Sequence, residues 1–165
     1  MQHFDESSRV WIYLSNRIFT DVEVSDISIA IRHFCKEWSA HGTKLKAAGE
    51  VRYNRFIVLM VDESEAGASG CSIDKSVHFI HALEKEYAVR LFDRLMLAWK
   101  DGAEVQVAPM QNMQQLFDNG TIHAGTIVFY NSVSSKKELD EKWEVPLSQS
   151  WMFARISLPK EKSMS

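Results

Sequence analysis

The segment from Ser69 to Ser76 is the part of the sequence best placed to do chemistry. It reads Ser-Gly-Cys-Ser-Ile-Asp-Lys-Ser and lies between a glycine-containing loop and the predicted start of a helix. Backbone amides at a helix start lack internal partners, and the helix dipole adds positive charge, so anions are favoured there. The same field stabilises a thiolate, which makes Cys71 a candidate nucleophile. The amides of Gly70–Ser72, helped by Ser69 and Lys75, form a candidate anion-binding cradle.

A purely structural interpretation of this segment stays open. Ser72 or Asp74 can cap the helix through its side-chain oxygen, and Cys71 can pack as a small apolar side chain. Asp74 also weakens the anion hypothesis, because it places a carboxylate in the first turn. The sequence therefore leaves Cys71 between the roles of nucleophile and buried core residue.

Three carboxylates follow the apolar segment Phe56–Val61, namely Asp62, Glu63 and Glu65. Carboxylates at a strand end can bind a divalent cation or act as acid and base. Because the predicted helix begins only a few residues later, Asp62 and Glu63 are candidate catalytic partners of Cys71. The alternative is a solvated entrance to an acidic loop. No metal ion or other cofactor is predicted.

His41 is the histidine with a candidate catalytic role, as a base for Cys71. It lies beside Gly42 at the predicted end of the first helix, so it can act only if the fold joins the two loops. We expect the two helices to run in similar directions, which argues against this pairing. His78 and His81 share a helix face but lack the further ligands of a zinc site.

The segment Ser69–Ser76 imitates a nucleotide-binding loop without completing it. A P-loop has glycine, four residues, and then Gly-Lys-Ser or Gly-Lys-Thr, whereas Ser69 and Asp74 occupy the two glycine positions here. A carboxylate at the second position repels phosphate. Phe56–Glu63 resembles a Walker B strand but precedes the loop instead of following it. The chain is therefore not predicted to be a true P-loop ATPase, and it also lacks a Gly-x-Ser-x-Gly nucleophile elbow.

The elements that position these residues alternate as strand, helix, strand, strand, helix and strand up to about residue 100. The predicted segments are Val10–Leu14, a helix from the Thr20 capping box to His41-Gly42, Leu45–Val51, Phe56–Val61, a helix from Ser72, and Leu95–Trp99. This is a ferredoxin-like βαββαβ core of the α+β class. A turn at Asp101-Gly102 predicts an added edge strand, Glu104–Val107. The alternative is an open α/β sheet with a parallel core.

Length and composition predict one globular domain over residues 1–165. The 165 residues are 45% hydrophobic and 25% charged, which excludes disordered and low-complexity classes. Residues 1–108 are the expected core, 109–158 an appended α/β segment, and 159–165 a frayed tail.

Charge and cysteine content narrow the expected partners and location. The net charge is −3 and basic clusters are short, so no nucleic-acid partner is predicted. No signal peptide is visible, and no apolar run approaches the ~20 residues of a membrane span. The two cysteines lie in different settings and do not suggest a disulfide framework. We therefore expect a cytoplasmic protein that does not contact a membrane.

Several motifs resemble those of a family of small bacterial proteins whose family label is "ABC transporter ATPase". They are Trp38-x-x-His41-Gly42, Phe56 through Asp62-Glu63, Ser69 through Phe79, Phe92-Asp93-Arg94, and Trp143-x-Val145-Pro146 with Ser150-Trp151. The resemblance runs from about Val10 to Trp151. The chain lacks a true Walker A loop and the signature Leu-Ser-Gly-Gly-Gln. The resemblance therefore implies a bacterial cytoplasmic protein and no particular activity.

The sequence thus supports two main functional hypotheses, beside a third in which Asp62, Glu63 and Glu65 bind a divalent cation. The first is an α+β module that binds a small ligand or a protein partner without catalysis, with a homodimer as one expected arrangement. The alternative is a thiol-dependent enzyme or anion-binding site at Gly70–Ser72, acting on a small anionic ligand.

Overall fold

The computed structural model describes residue 1 and residues 3–159, which form a mixed α+β structure. The strands are β1 (Arg9–Leu14), β2 (Ser39–Ala40), β3 (Thr43–Lys44), β4 (Lys46–Arg52), β5 (Phe56–Asp62), β6 (Met96–Asp101), β7 (Glu104–Pro109), β8 (Ile127–Phe129) and β9 (Glu144–Pro146). The α-helices are α1 (Asp21–Glu37), α2 (Gly70–Tyr87), α3 (Met113–Asp118) and α4 (Lys136–Lys142). Of the predicted frayed tail, all but Pro159 lies outside the described residues.

The chain divides into two compact units. The first unit consists of Met1–Arg94 and Tyr130–Trp143. The second unit consists of Leu95–Phe129 and the chain from Glu144 onward. The chain therefore leaves the first unit after Arg94 and comes back to it at Tyr130. The sequence instead predicts a single division, between residues 108 and 109.

The first unit is built on a three-stranded antiparallel sheet in the order β1-β5-β4. Tyr13 of β1 pairs with Ile57, and Gly49 of β4 pairs with Leu59. Every residue of the central strand β5 is buried, as its uninterrupted apolar run predicts. Helices α1 and α2 pack on one face of this sheet, where Ile57 and Leu59 join the helical core residues Ile27, Ile31, Ile80 and Leu83.

The two helices run antiparallel. At one end, Trp38, which follows α1, donates a hydrogen bond to the Ser72 carbonyl in the first turn of α2. At the other, Arg17, which precedes α1, donates to the carbonyl of Tyr87, the last residue of α2. The expectation that the helices run in similar directions is wrong. Strands β1 and β5 are antiparallel, and each is followed by a helix that returns across the sheet.

The fourth strand of a ferredoxin-like sheet does not join the first unit, so that finer topology is not confirmed. Strand β6 instead belongs to a second antiparallel sheet in the order β7-β6-β8-β9. Beside β1, the amide of Val10 donates to the carbonyl of Ser134, and the amide of Lys136 donates to that of Ser8. Every described strand pair is antiparallel, which also disagrees with the alternative of a parallel core.

The second unit contains the hairpin that the sequence predicts at Asp101-Gly102. Asp101 pairs with Glu104, and Gly102 has φ of 63°, a conformation that favours glycine. Strand β7 lies at an edge, as predicted, although in the second sheet. The hydrophobic core of the second unit consists of the buried residues Leu97, Trp99, Met113, Ile122, Val128, Leu147, Met152 and Ile156. In the described part of the chain, no helix is long and apolar enough to cross a membrane.

Candidate functional site

Two serines, Ser69 and Ser72, cap the start of α2. The Ser69 hydroxyl accepts a hydrogen bond from the Ser72 amide at 3.2 Å, and the Ser72 hydroxyl accepts one from the Ser69 amide at 2.7 Å. The N-cap is therefore Ser69, and not Ser72 or Asp74 as expected. The Ser69 hydroxyl also donates to the Ser72 hydroxyl at 3.3 Å, and the Ser72 hydroxyl donates to the Ser69 carbonyl at 2.8 Å. Because both hydroxyl protons are used within this cap, neither hydroxyl is free to donate to an anion as predicted.

Cys71 lies exposed in the first turn of α2. The alternative in which it packs as a buried apolar side chain is therefore wrong. Its neighbour Gly70 is also exposed, and a Cβ added there would meet nothing within 4 Å. Lys75 is exposed one turn further along the helix. Gly70, Cys71 and Lys75 are thus all exposed at the start of α2.

His41 is not assembled with the thiol. It is exposed, has φ of 51°, and occupies the turn that joins β2 to β3. The antiparallel helices do bring the end of α1 towards the start of α2. Among the described residues, however, no hydrogen bond joins His41 to Cys71, so a base-activated nucleophile is not present in this arrangement.

Asp62 is buried and fully engaged in structural contacts. Its carboxylate accepts hydrogen bonds from the amides of Ser64 at 3.0 Å and Asp5 at 3.4 Å. The ammonium of Lys46 lies 3.1 Å from the same carboxylate. The hydrogen bonds from Ser64, followed by the one from Lys46, hold the pKa of Asp62 well below its usual range. This carboxylate joins the N-terminal segment to the sheet and is not available as a base.

Glu63 organises the loop that follows β5. Its carboxylate accepts a hydrogen bond from the Ala68 amide at 3.0 Å and lies 3.5 Å from the Arg9 guanidinium. Glu65 is exposed. Within the described residues, no group of three or more His, Cys, Asp or Glu side chains could hold a metal ion. Asp62 and Glu63 therefore hold the loop after β5 in place, and the described residues of this segment are not arranged as a catalytic group.

Trp38 is the residue that anchors the helix start, and the sequence analysis gives it no such role. Its side chain is 2% exposed, and its indole nitrogen lies 2.8 Å from the Ser72 carbonyl oxygen. The rings of Trp11 and Phe34 pack against it at 5.8 and 5.0 Å between centroids. The sequence signal for this role is the tryptophan itself, because a buried indole N–H group needs a hydrogen-bond acceptor.

A second candidate surface lies on the outer side of α1. Val22 and Ile29 are 70% and 54% exposed, and their seven-residue spacing places them on one face of the helix. A shallow groove of about 370 Å³ runs beside Ile29. It is lined by Asp26, Ile29, Ala30, His33, Glu86 and Tyr87. This surface was not predicted from the sequence, although the seven-residue spacing of Val22 and Ile29 is a signal that could have revealed it.

The two thiols should differ sharply in reactivity towards iodoacetamide. We expect Cys71 to be alkylated in the native protein, since it is exposed. Cys35 should react only after unfolding, because it is buried and burial raises the pKa of its thiol to about 12. Mass spectrometry with and without urea measures both sites, and a Cys71→Ser variant assigns the native adduct. Labelling of Cys35 in the native state would contradict the structure.

The ion pair and hydrogen bonds of Asp62 should make stability fall in acid. A carboxyl group whose pKa is lowered by folding stabilises the native state above its unfolded pKa of ~3.9. This contribution begins to be lost below that value and is lost fully only as the pH falls through the lower pKa of the folded state. We therefore expect Asp62→Asn to lower the urea midpoint at pH 7 and to lower it by a smaller amount at pH 3. The exposed Asp74→Asn serves as control, and a pH-independent difference for Asp62→Asn would contradict this linkage.

Comparisons with known proteins return no matching family model, no similar curated protein and no similar solved structure. The resemblance of the motifs to a bacterial family therefore stays a prediction.

Proposed function

We propose that the chain is a non-catalytic binding module that works as a homodimer, joined through the outer face of α1. The observation that supports this most directly is the exposure of Val22 and Ile29 on one helix face. Residues seven apart lie two turns apart along the same side of a helix, so the two side chains form one apolar stripe. Exposed apolar surface bordered by polar residues is typical of protein contacts.

The shape of the neighbouring groove favours a protein partner over a small ligand. Small-molecule sites are concave and enclose most of their ligand. The groove beside Ile29 is shallow, and its borders carry the charged side chains Asp26 and Glu86 and the exposed His33. An apolar centre with a polar border is the usual composition of a protein interface.

A second candidate function is a thiol-dependent reaction or anion binding at Gly70–Ser72. The exposure of Cys71 in the first turn of α2 favours it. The contacts of its expected helpers oppose it, because Asp62 and Glu63 are used within the fold. We therefore place the binding module first.

The proposal also includes a fold relationship, a cellular location and the absence of a nucleic-acid partner. A ferredoxin-like relationship for the first unit is supported by the β1-β5-β4 strand order with two helices on one face. A bacterial cytoplasmic protein is supported by the motifs and by the free thiols of Cys35 and Cys71. Absence of nucleic-acid binding is supported by the net charge of −3.

Sedimentation of the purified chain over a range of concentrations tests the dimer. We expect the wild type to pass from monomer to dimer, and Ile29→Asp to raise the dissociation constant at least about tenfold, a loss of ~1.4 kcal/mol. The matched control is Leu158→Asp, because Leu158 is 56% exposed in the second unit. It should leave the dissociation constant unchanged. A wild-type chain that stays monomeric throughout would overturn the proposed function.

A further inference from the structure

We infer that Asn119 is a site of spontaneous deamidation, where the backbone nitrogen of Gly120 displaces the side-chain amide nitrogen of Asn119. Of the five asparagines in the chain, Asn119 alone is followed by glycine. Glycine has no side chain that would hinder its own backbone nitrogen. Asn119 belongs to the second unit, so its chemistry is independent of the proposed contact through α1.

The reaction needs only groups of the chain and a water molecule. The Gly120 nitrogen loses its proton and forms a bond to Cγ of Asn119, and the side-chain nitrogen leaves as ammonia. The product is a cyclic succinimide. Water then opens the ring at either of its carbonyl carbons, which gives aspartate with the ordinary backbone or isoaspartate, whose backbone runs through Cβ and Cγ. Asparagine and water thus become a carboxylic acid and ammonia, without an oxidant or a cofactor.

The site is open to water. Asn119, Gly120 and Thr121 are all exposed, and they directly follow α3, a helix of six residues. Ends of short exposed helices open more readily than the core of a domain. Within the described part of the chain, the side-chain hydrogen bonds of Asn119 all involve Oδ1, and none holds the Nδ2 that leaves as ammonia. The fold therefore does not retain the leaving group.

The native turn restrains the attack. Oδ1 of Asn119 accepts hydrogen bonds from the Thr121 backbone amide at 3.0 Å and from the Thr121 hydroxyl at 2.6 Å, which forms an Asx turn. With ψ of 1° at Asn119, the Gly120 nitrogen eclipses the Asn119 backbone nitrogen and is rotated roughly a third of a circle away from Cβ. The Gly120 amide also donates to the Phe117 carbonyl at 3.2 Å. The ring can therefore close only when this turn opens.

Deamidation of Asn119 acts on the core of the second unit. Ile122 is 0% exposed in that core, and its backbone amide donates to the Leu116 carbonyl at 3.1 Å. Isoaspartate adds an atom to the backbone before Gly120, so the chain must shift between α3 and Ile122. The new carboxylate also lies beside Asp118 at the C-terminal end of α3, where the helix dipole disfavours negative charge. The deamidated chain should therefore unfold at a lower urea concentration.

Peptide mapping by mass spectrometry tests the site. The purified chain is kept in mildly alkaline buffer, where the Gly120 amide loses its proton more readily, and its peptides are followed with time. We expect the replacement of NH2 by OH to accumulate first at Asn119, and an Asn119→Gln variant to show no such change there. Asn131, which precedes Ser132, is the internal control. Retention of the Asn119 amide while Asn131 loses its own would overturn the site.

A variant of Thr121 tests the control by the turn. Thr121→Val keeps the shape of the side chain and removes the hydroxyl donor, so it should raise the rate of amide loss about fivefold, the factor that corresponds to one hydrogen bond. The wild-type chain unfolded in urea should lose the amide faster still. Equal rates in all three samples would show that the Asx turn does not control the reaction.

An Asn119→Asp variant separates the effect of charge from that of the backbone. It carries the new carboxylate on an ordinary backbone, so it should lower the urea midpoint by less than a deamidated sample rich in isoaspartate does. A deamidated sample that unfolds at the same urea concentration as fresh chain would overturn the effect on the core.

Discussion

Replacing Trp38 by alanine is expected to lower the free energy of unfolding by about 3–5 kcal/mol. The side chain is 2% exposed, packs against Trp11 and Phe34, and holds the start of α2 through the Ser72 carbonyl. Removing it leaves a large cavity and removes the indole hydrogen bond to the Ser72 carbonyl. Urea unfolding followed by circular dichroism measures the loss.

Two matched variants make this prediction specific. Trp38→Phe keeps most of the ring contacts but removes the indole N–H, so its loss should be about 0.5–1.5 kcal/mol. Trp151→Ala removes a tryptophan that is 47% exposed and lies 4.9 Å from the Arg155 guanidinium, and it should cost less than about 1 kcal/mol. A Trp38→Ala variant as stable as Trp151→Ala would show that Trp38 does not anchor the helix.

A methyl group at Gly49 is expected to destabilise the first unit by about 1–3 kcal/mol. A Cβ at this position would lie 2.6 Å from Ile31 Cγ2, 2.8 Å from Leu59 Cδ2 and 2.9 Å from the Val58 carbonyl oxygen. The two side chains can move, but the carbonyl oxygen belongs to the β4–β5 pair and cannot move without disturbing it. Gly49→Ala tests this by urea unfolding, and Gly49→Val should be worse.

Gly70→Ala is the control for the glycine prediction. Gly70 is the first residue of α2, and an added Cβ meets nothing within 4 Å. Alanine there should leave stability unchanged or raise it by up to about 1 kcal/mol, since it restricts the unfolded chain. Equal effects of Gly49→Ala and Gly70→Ala would contradict the close contact between α1 and β4.

Local signals in the sequence predict the elements of the first unit well. The capping box of Thr20 and Glu23 is confirmed at the start of α1, with the Glu23 amide donating to the Thr20 hydroxyl. The predicted end of that helix at His41-Gly42 is wrong. The helix ends at Glu37, and these two residues form the left-handed turn between β2 and β3, because Trp38 is held in an extended conformation.

The sheet membership of β6 could not be predicted from its sequence. The Asp101-Gly102 turn determines that β6 pairs with β7, because that contact is local. The choice between β1 and β8 as the second neighbour depends on chain that comes about thirty residues later, and an apolar strand fits either edge equally. Non-local pairing of this kind leaves no signal in the spacing of apolar residues.

The sequence identifies the residues of the candidate site, but it does not show which of their side chains are buried and which are exposed. The buried face of α2 begins with Ser72 and Ser76, which a hydrophobicity pattern cannot distinguish from surface serines. Cys71 is therefore exposed although its neighbour is buried. The partners of Asp62 could not be predicted either, since Asp5 and Lys46 are distant in sequence and contact Asp62 only in the folded chain.

The return of Tyr130–Trp143 to the first unit has a consequence for synthesis on the ribosome. The Trp143 ring packs edge-on against Phe56 at 5.0 Å between centroids, within the same unit. Residues 1–94 can emerge and form their strands and helices, yet this aromatic contact must wait until residue 143 has left the exit tunnel. A nascent chain halted earlier would present Phe56 uncovered to water, where aggregation competes with completion of the fold.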